Sequence, residues 1–187
     1  MTSDARLKEV IGVSDSAKDL ALLQSIQITD YTFKDKLAMG NQVQKRVIAQ
    51  QVESVFPGAV QSNRGVVPDI YQKSAIEEGW VKLATDLKVG ERVRLIGKTK
   101  EAIMEVLEVR AGGFRTDFTS ADGKVFVYGR EVSDLRTVDY DAIAMLNVSA
   151  TQQVKKDSDA AIAALQAKNA ALEARLSALE KRLPTTK

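Results

Sequence analysis

The stretch AIAALQAKNAALEARLSALEKRL, residues 161–183, decides how the chain is read. Ile162, Leu165, Asn169, Leu172, Leu176, Leu179 and Leu183 follow one another at alternating spacings of three and four. That is a heptad, with Ile162, Asn169, Leu176 and Leu183 at position a and leucine at every d. Lys168 at g then faces Glu173 at e of a neighbouring helix, and Arg175 faces Glu180. These pairings suit parallel, in-register helices, because g reaches the e position five residues further on.

The same segment sets the oligomer reading. Arg175-Leu176-Ser177-Ala178-Leu179-Glu180 follows the Arg-apolar-x-x-apolar-Glu pattern associated with trimeric coiled coils. Asn169 at a acts as a register device, since a buried amide needs a partner amide and penalises slipped alignments. Asn at a also occurs in dimers. An amphipathic helix docked on its own domain would explain the apolar stripe, but not the matched g and e charges. Upstream, proline and glycine are absent from Asp139 to Leu183, so one long helix is allowed throughout.

Working outward, the chain divides into three parts: 1–67, 68–136 and 137–187. In the first, Ser14-Asp15-Ser16 offers N-caps for a helix carrying Leu20, Leu23 and Ile26. Ile28, Tyr31 and Phe33 form a short extended piece, Met39-Gly40-Asn41 reads as a turn, and Pro57-Gly58 stops the element before it. The middle part reads as a small inserted β module. Arg92–Leu95 and Lys124–Tyr128 alternate like half-buried strands. Ala111-Gly112-Gly113 and Ala121-Asp122-Gly123 supply turns. Ile103–Arg110 fits a helical period as well, but its β-branched residues and flanking glycines favour a strand. The fold class is therefore α+β, with a β module and a long C-terminal helix.

Composition removes whole classes of chemistry. The 187 residues contain no cysteine and no histidine. Disulfides, thiolate zinc sites, Cys nucleophiles and the Ser-His-Asp triad are excluded, as are most transition-metal sites. No metal or cofactor is expected. Nucleophilic catalysis would need lysine or a carboxylate as base. The net charge of +2 makes no case for nucleic acid or an anionic membrane. No apolar run approaches the roughly 18–20 residues of a membrane span, and no apolar signal stretch opens the chain.

Most candidate motifs have ordinary explanations. Gly97-Lys98-Thr99 resembles the end of a phosphate-binding loop, but Arg92 stands where that motif needs its first glycine. Glu77-Glu78 and Glu105/Glu108, interspersed with basic residues, read as solvated surface. Trp80 and Tyr71 read as packing residues. Ser3 and Lys8, in the opening MTSDARLKEVIG, admit two readings. Ser3 could cap a first turn through Arg6-Leu7-Lys8. Alternatively, a lysine lowered from about 10.4 to roughly 7–8 could accept the serine proton. Spacing alone does not bring Lys8 beside Ser3; the fold must do so.

Ser3-Asp4-Ala5-Arg6-Leu7-Lys8 with Val10-Ile11 resembles the opening of the peptidase S74 family, the C-terminal intramolecular chaperone domain of endosialidase-type phage tailspikes. Tyr31-Thr32-Phe33-Lys34 is similar to the family's aromatic strand. Val47–Glu53 with Val55-Phe56-Pro57 and Val60 is similar to its Ile-Ala-Gln-Glu-Val block, and Thr137–Tyr140 through Ile143 to its Val-Asp-Tyr motif. Arg46, Gln51 and the inserted β module depart from the pattern.

The resemblance implies a homotrimer with a parallel coiled coil that aligns an upstream fibre, spike or adhesin of its own chain. It implies release by a cut between Thr2 and Ser3, with Ser3 as nucleophile and Lys8 as general base. Asp4 and Arg6 would orient the site, and Gln50 would help form its wall or oxyanion contacts. Met1-Thr2 would then be the stub of something longer, in a phage tail fibre or a bacterial surface or secreted fibre. The alternative is a non-cleaving trimeric tip whose β module binds a receptor or partner.

Overall fold

The computed structural model describes residues 2–181. It is a mixed α/β protein in two compact units. Among the described residues, one comprises those up to Ile26 together with those from Tyr140 on, and the other residues 27–139.

The first unit is helical. Its chain starts with a single 3₁₀ turn, Ala5–Leu7, and continues without regular secondary structure from Lys8 to Asp15 into helix α1, Ser16–Ser25. Asp15 caps α1 by accepting the N–H groups of Ala17 and Lys18, so two of the orphan donors at the helix start are satisfied. The last helix, α4 (Tyr140–Glu180), runs for 41 residues, as the absence of proline and glycine allows. At ~1.5 Å per residue it is about 60 Å long. α1 packs on the first turns of α4, where Leu146 and Ala150 are buried. Polar contacts fix the pair: Ser149 Oγ donates to Asp19 at 2.5 Å, and Ser16 Oγ donates to Gln153 at 2.8 Å.

The second unit holds the β structure. Strands β1 (Thr29–Tyr31) and β2 (Gln44–Arg46) pair antiparallel around the short helix α2, Lys36–Met39. Helix α3 (Ala49–Val55) buries Val52 and ends at Phe56-Pro57. A curled antiparallel sheet follows, made of β3 (Val60–Val66), β4 (Gln72–Glu77), β5 (Trp80–Val81), β6 (Arg92–Ile96), β7 (Glu101–Glu105), β8 (Glu108–Arg110), β9 (Gly113–Arg115) and β10 (Lys124–Val138). The order is β7-β6-β10-β4-β5-β9-β8, with β3 also on β10.

The 15-residue β10 organises this sheet. Its first half lies between β4 and β6, while its second half pairs with β3. Irregularities near Val127/Gly129 and Val132/Leu135 let one strand serve both. Gly129, at φ 157°, permits the first: a Cβ there would collide with the Val67 carbonyl and the Asp69 carboxylate. Arg130 then clamps the bend, its Nε 2.5 Å from Asp69 and its Nη2 paired with Asp86.

The core under this sheet is apolar and closed. Val93, Leu95, Val106, Phe114, Val127 and Phe118 are at most 1% exposed. Alternation along β6 and β10 produces it, because every second side chain points inward. The ambiguous Ile103–Arg110 segment is strand, as its β-branched residues favour, but broken at Val106-Leu107 into β7 and β8. Buried Val106 turns the chain by exchanging backbone bonds with Gly90 and Glu91. Gly97-Lys98-Thr99 is the β6–β7 hairpin, closed by Gly97 N–H donating to the Lys100 carbonyl at 2.9 Å. Glu77 pairs with Lys82 and Glu108 with Arg115 at the surface. The Arg110 guanidinium lies 3.5 Å from the centroid of the Trp80 ring.

Candidate functional site

The opening turn brings Ser3 and Lys8 together. Leu7 N–H donates to the Asp4 carbonyl and Lys8 N–H to that of Ala5, both at 3.1 Å. This one turn reverses the chain, and Lys8 Nζ donates to Ser3 Oγ at 2.7 Å. Both side chains are exposed in the single chain.

The N-cap role expected of Ser3 falls to Asp4. Its backbone is extended (φ −66°, ψ 130°) and its Oδ1 accepts the Arg6 N–H at 2.9 Å. A carboxylate one residue further along meets the same donor, so the Ser3 hydroxyl is left for Lys8. Arg6 closes a fork on Asp4, with Nη2 at 2.7 Å from Oδ2 and Nε at 3.1 Å from Oδ1. These hydrogen bonds, the Arg6 side chain first and its backbone second, hold the Asp4 carboxyl below the usual carboxylate range. Asp4 and Arg6 therefore neutralise each other within the turn that presents Ser3 and Lys8. Thr2, Asp4, Arg6 and Leu7 line a cavity of about 450 Å³ beside them.

The remaining expected residues within the described chain lie on α3 and α4. Gln50 is exposed on α3 in the second unit. Its neighbour Gln51, where the sequence departs from the family pattern, accepts a hydrogen bond from Thr29 Oγ1 at 2.9 Å. Gln51 thereby ties α3 to β1, a role that only the fold reveals. Ile162, Leu165, Leu172, Leu176 and Leu179 lie on α4 with 51–60% of their surface exposed. Asn169, Arg175 and Glu180 are exposed on the same helix. Leu183 lies outside the described residues. Among the described residues there is no cluster of three or more acidic groups that could hold a metal, and no helix is long and apolar enough to cross a membrane.

Two polar anchors were not legible as sites. Asp19 accepts from Ser14 and Ser149, and these hydroxyls, Ser14 first, lower its carboxyl. They fix the end of the segment after Lys8 onto α1 and α4. Asp35 caps α2 through the Ala38 N–H and accepts the Tyr71 hydroxyl at 3.0 Å, binding α2 to the β sheet.

A family model, Peptidase S74, described as chaperone of endosialidase, matches residues 3–61. The match contains Ser3–Lys8, Tyr31–Lys34 and Val47–Pro57 and supports the resemblance read from those residues. It ends before the Val138–Tyr140 motif and the heptads. No curated protein matches the chain.

Proposed function

We propose that this S74-type chain is a self-cleaving intramolecular chaperone: it trimerises through α4, aligns an upstream fibre, and detaches by cutting the Thr2–Ser3 bond. The observation that carries the reading is the 2.7 Å contact between Lys8 Nζ and Ser3 Oγ, made within one turn of the junction. With the amine neutral, the same contact runs in the other direction, from Ser3 O–H to Nζ.

The step balances as follows. Ser3 Oγ loses its proton to Lys8 and bonds to the Thr2 carbonyl carbon. The tetrahedral intermediate collapses, the Thr2–Ser3 C–N bond breaks, and Lys8 returns the proton to the departing Ser3 nitrogen. Water then hydrolyses the ester, leaving a Thr2 carboxylate, a free Ser3 amine and the restored hydroxyl. The nucleophile, base and scissile bond belong to one short segment, so proximity supplies much of the rate. The Asp4–Arg6 fork holds the turn in shape.

Trimerisation draws its support from α4. Five a and d side chains from Ile162 to Leu179 are left more than half exposed, on a helix whose described residues from 161 onward are all exposed. Three parallel copies would bury this seam and bring Lys168 near Glu173 and Arg175 near Glu180. Holding three chains together raises their effective concentration before a long β fibre must pair.

The test is a chain with a small reporter domain fused ahead of Met1. Intact-mass analysis should find two fragments, the C-terminal one beginning at Ser3. Ser3→Ala should abolish the cut, and Lys8→Ala should slow it by about 10²–10⁴-fold, both with oligomer size unchanged. A folded oligomer that stays whole would overturn the peptidase reading and leave a non-cleaving fibre tip. Sedimentation of a monomer at micromolar concentration would overturn the trimer.

A further inference from the structure

The outer face of the curled sheet carries a cavity lined by none of the residues assigned above to trimerisation or cleavage. Its volume is about 620 Å³, within the roughly 300–1,000 Å³ range of small-ligand sites. Phe126 and Ile96 contribute to its floor, and Lys73, Lys98 and Lys124 all line it. Register explains the arrangement. Lys73 on β4 lies opposite Phe126 on β10, and Phe126 lies opposite Ile96 on β6, so the three form one cross-strand row. Lys124 starts β10 opposite Ala75, and Lys98 sits in the β6–β7 hairpin.

Two features define what fits. The first is charge. Lys18, Lys45, Lys82 and Lys155 make ion pairs. Among the described residues, none of the three cavity lysines makes one. The cavity's one carboxylate, Asp122, is already engaged, accepting the Ser120 hydroxyl at 2.8 Å and the Lys124 N–H at 3.2 Å. Three exposed ammonium groups around an apolar floor favour an anion with an apolar ring face.

The second feature is the supply of aromatic surface. Phe126 is half-buried, and its T-shaped contact with Tyr71, 4.9 Å between centroids, covers at most one ring face. The neighbouring Tyr128 ring carries the Arg94 guanidinium at 4.9 Å, and the Tyr71 hydroxyl is bonded to Asp35. Phe126 is the one aromatic ring lining the cavity, which suits one sugar ring better than the successive bases of a nucleic-acid strand. The floor strands β6 and β10 are each paired on both sides, so an added peptide strand finds no open ladder there.

We infer that this face binds a short carboxylated saccharide, with a pyranose ring on Phe126 and its carboxylates among Lys73, Lys98 and Lys124. The site would give the β module a recognition role that is independent of cleavage at Ser3.

The test uses the full chain, with trigalacturonate as probe and maltotriose as its neutral counterpart. Titration calorimetry should detect trigalacturonate and not maltotriose, with affinity falling between 50 and 500 mM salt as screening grows. Amide shifts should cluster at Lys73–Ala75, Ile96–Lys98 and Asp122–Phe126. Lys73→Gln, Lys98→Gln and Lys124→Gln should each weaken binding about two- to fivefold, the yield of an exposed ion pair. Phe126→Leu keeps an apolar floor but loses the ring face, and should weaken binding while the amide spectrum stays folded. No trigalacturonate binding, equal binding of maltotriose, shifts clustered elsewhere, or tighter binding of a thymidine tetranucleotide would each overturn the proposal.

Discussion

The β sheet and the far half of α4 draw on similar apolar residues and reach opposite results. Phe114, Val93 and Leu95 are fully covered within one chain, whereas Leu165, Leu172 and Leu176 keep more than half their surface in water. A curled sheet closes on itself because alternate residues of many strands point to one interior. A single helix has only one stripe, and the described residues of α4 from 161 onward are all exposed. In the proposed trimer, the difference separates what one copy completes from what several complete together.

The largest expected effect would sharpen that comparison from the sheet side. Phe114 is fully buried in the sheet core. Phe114→Ala should cost about 3–5 kcal/mol. Denaturant melts should show the loss equally at low and high protein concentration, because no other copy contributes to this core. A concentration-dependent loss would mean that the sheet also relies on its neighbours.

The helix side should behave differently. In the proposed trimer, Leu172 at d is covered only by other copies, so Leu172→Ala should cost about 2 kcal/mol or more per chain. It should appear as a midpoint that falls with dilution and a shift toward monomer in sedimentation, while the sheet's amide spectrum is preserved. An unchanged oligomer would break the comparison. Asn169→Ile is expected to act in the opposite direction. It should raise the melting temperature while admitting other helix numbers, since the buried amide gives up stability for register.

How far the sequence can be read follows the same division. Heptads are local, and the absence of proline and glycine from Asp139 to Leu183 made a long helix legible, as observed for Tyr140–Glu180. Alternation likewise exposed β6 and the start of β10. The length of β10 was not legible, because its continuation depends on Gly129 fitting against Val67 and Asp69, more than 50 residues away. Helix α2 was also hidden, since four residues carry no period and its cap bond from Asp35 is visible only once folded. At the candidate site, residue types pointed to Ser3 and Lys8, but the contact rests on a 3₁₀ turn capped by Asp4 rather than by Ser3. Both residues could fill the cap, and only the fold assigns it.

Within the first unit, the Asp4 turn allows a finer test of how much its shape matters. Asp4→Asn keeps an acceptor for the Arg6 N–H but removes the charge from the fork. Cleavage of the reporter fusion should slow by up to about 100-fold, the effect of a misplaced reacting group, and remain above the Ser3→Ala background. Loss as complete as in Ser3→Ala would instead make Asp4 part of the proton-transfer machinery.

The smallest effect expected is an acid limit that the two units share through different groups. Asp19 in the helical unit is lowered by the Ser14 and Ser149 hydroxyls. Asp35 in the sheet unit is lowered first by the Ala38 N–H, with burial opposing and the Tyr71 hydroxyl assisting. A carboxyl held below its unfolded value of 3.8 favours folding above that pH and loses the contribution as pH falls through the folded value. Stability should therefore be flat from neutrality to about pH 5 and decline below about pH 4. Asp19→Asn should flatten the acid response of α1–α4 docking, and Asp35→Asn that of the sheet, each followed by hydrogen exchange in its own unit. The raised Tyr71 hydroxyl has the opposite sign: burial first and Asp35 second hold its proton, so its contribution persists below pH 10 and fades above it. An alkaline loss in the sheet unit that survives Tyr71→Phe would show that other groups set that limit.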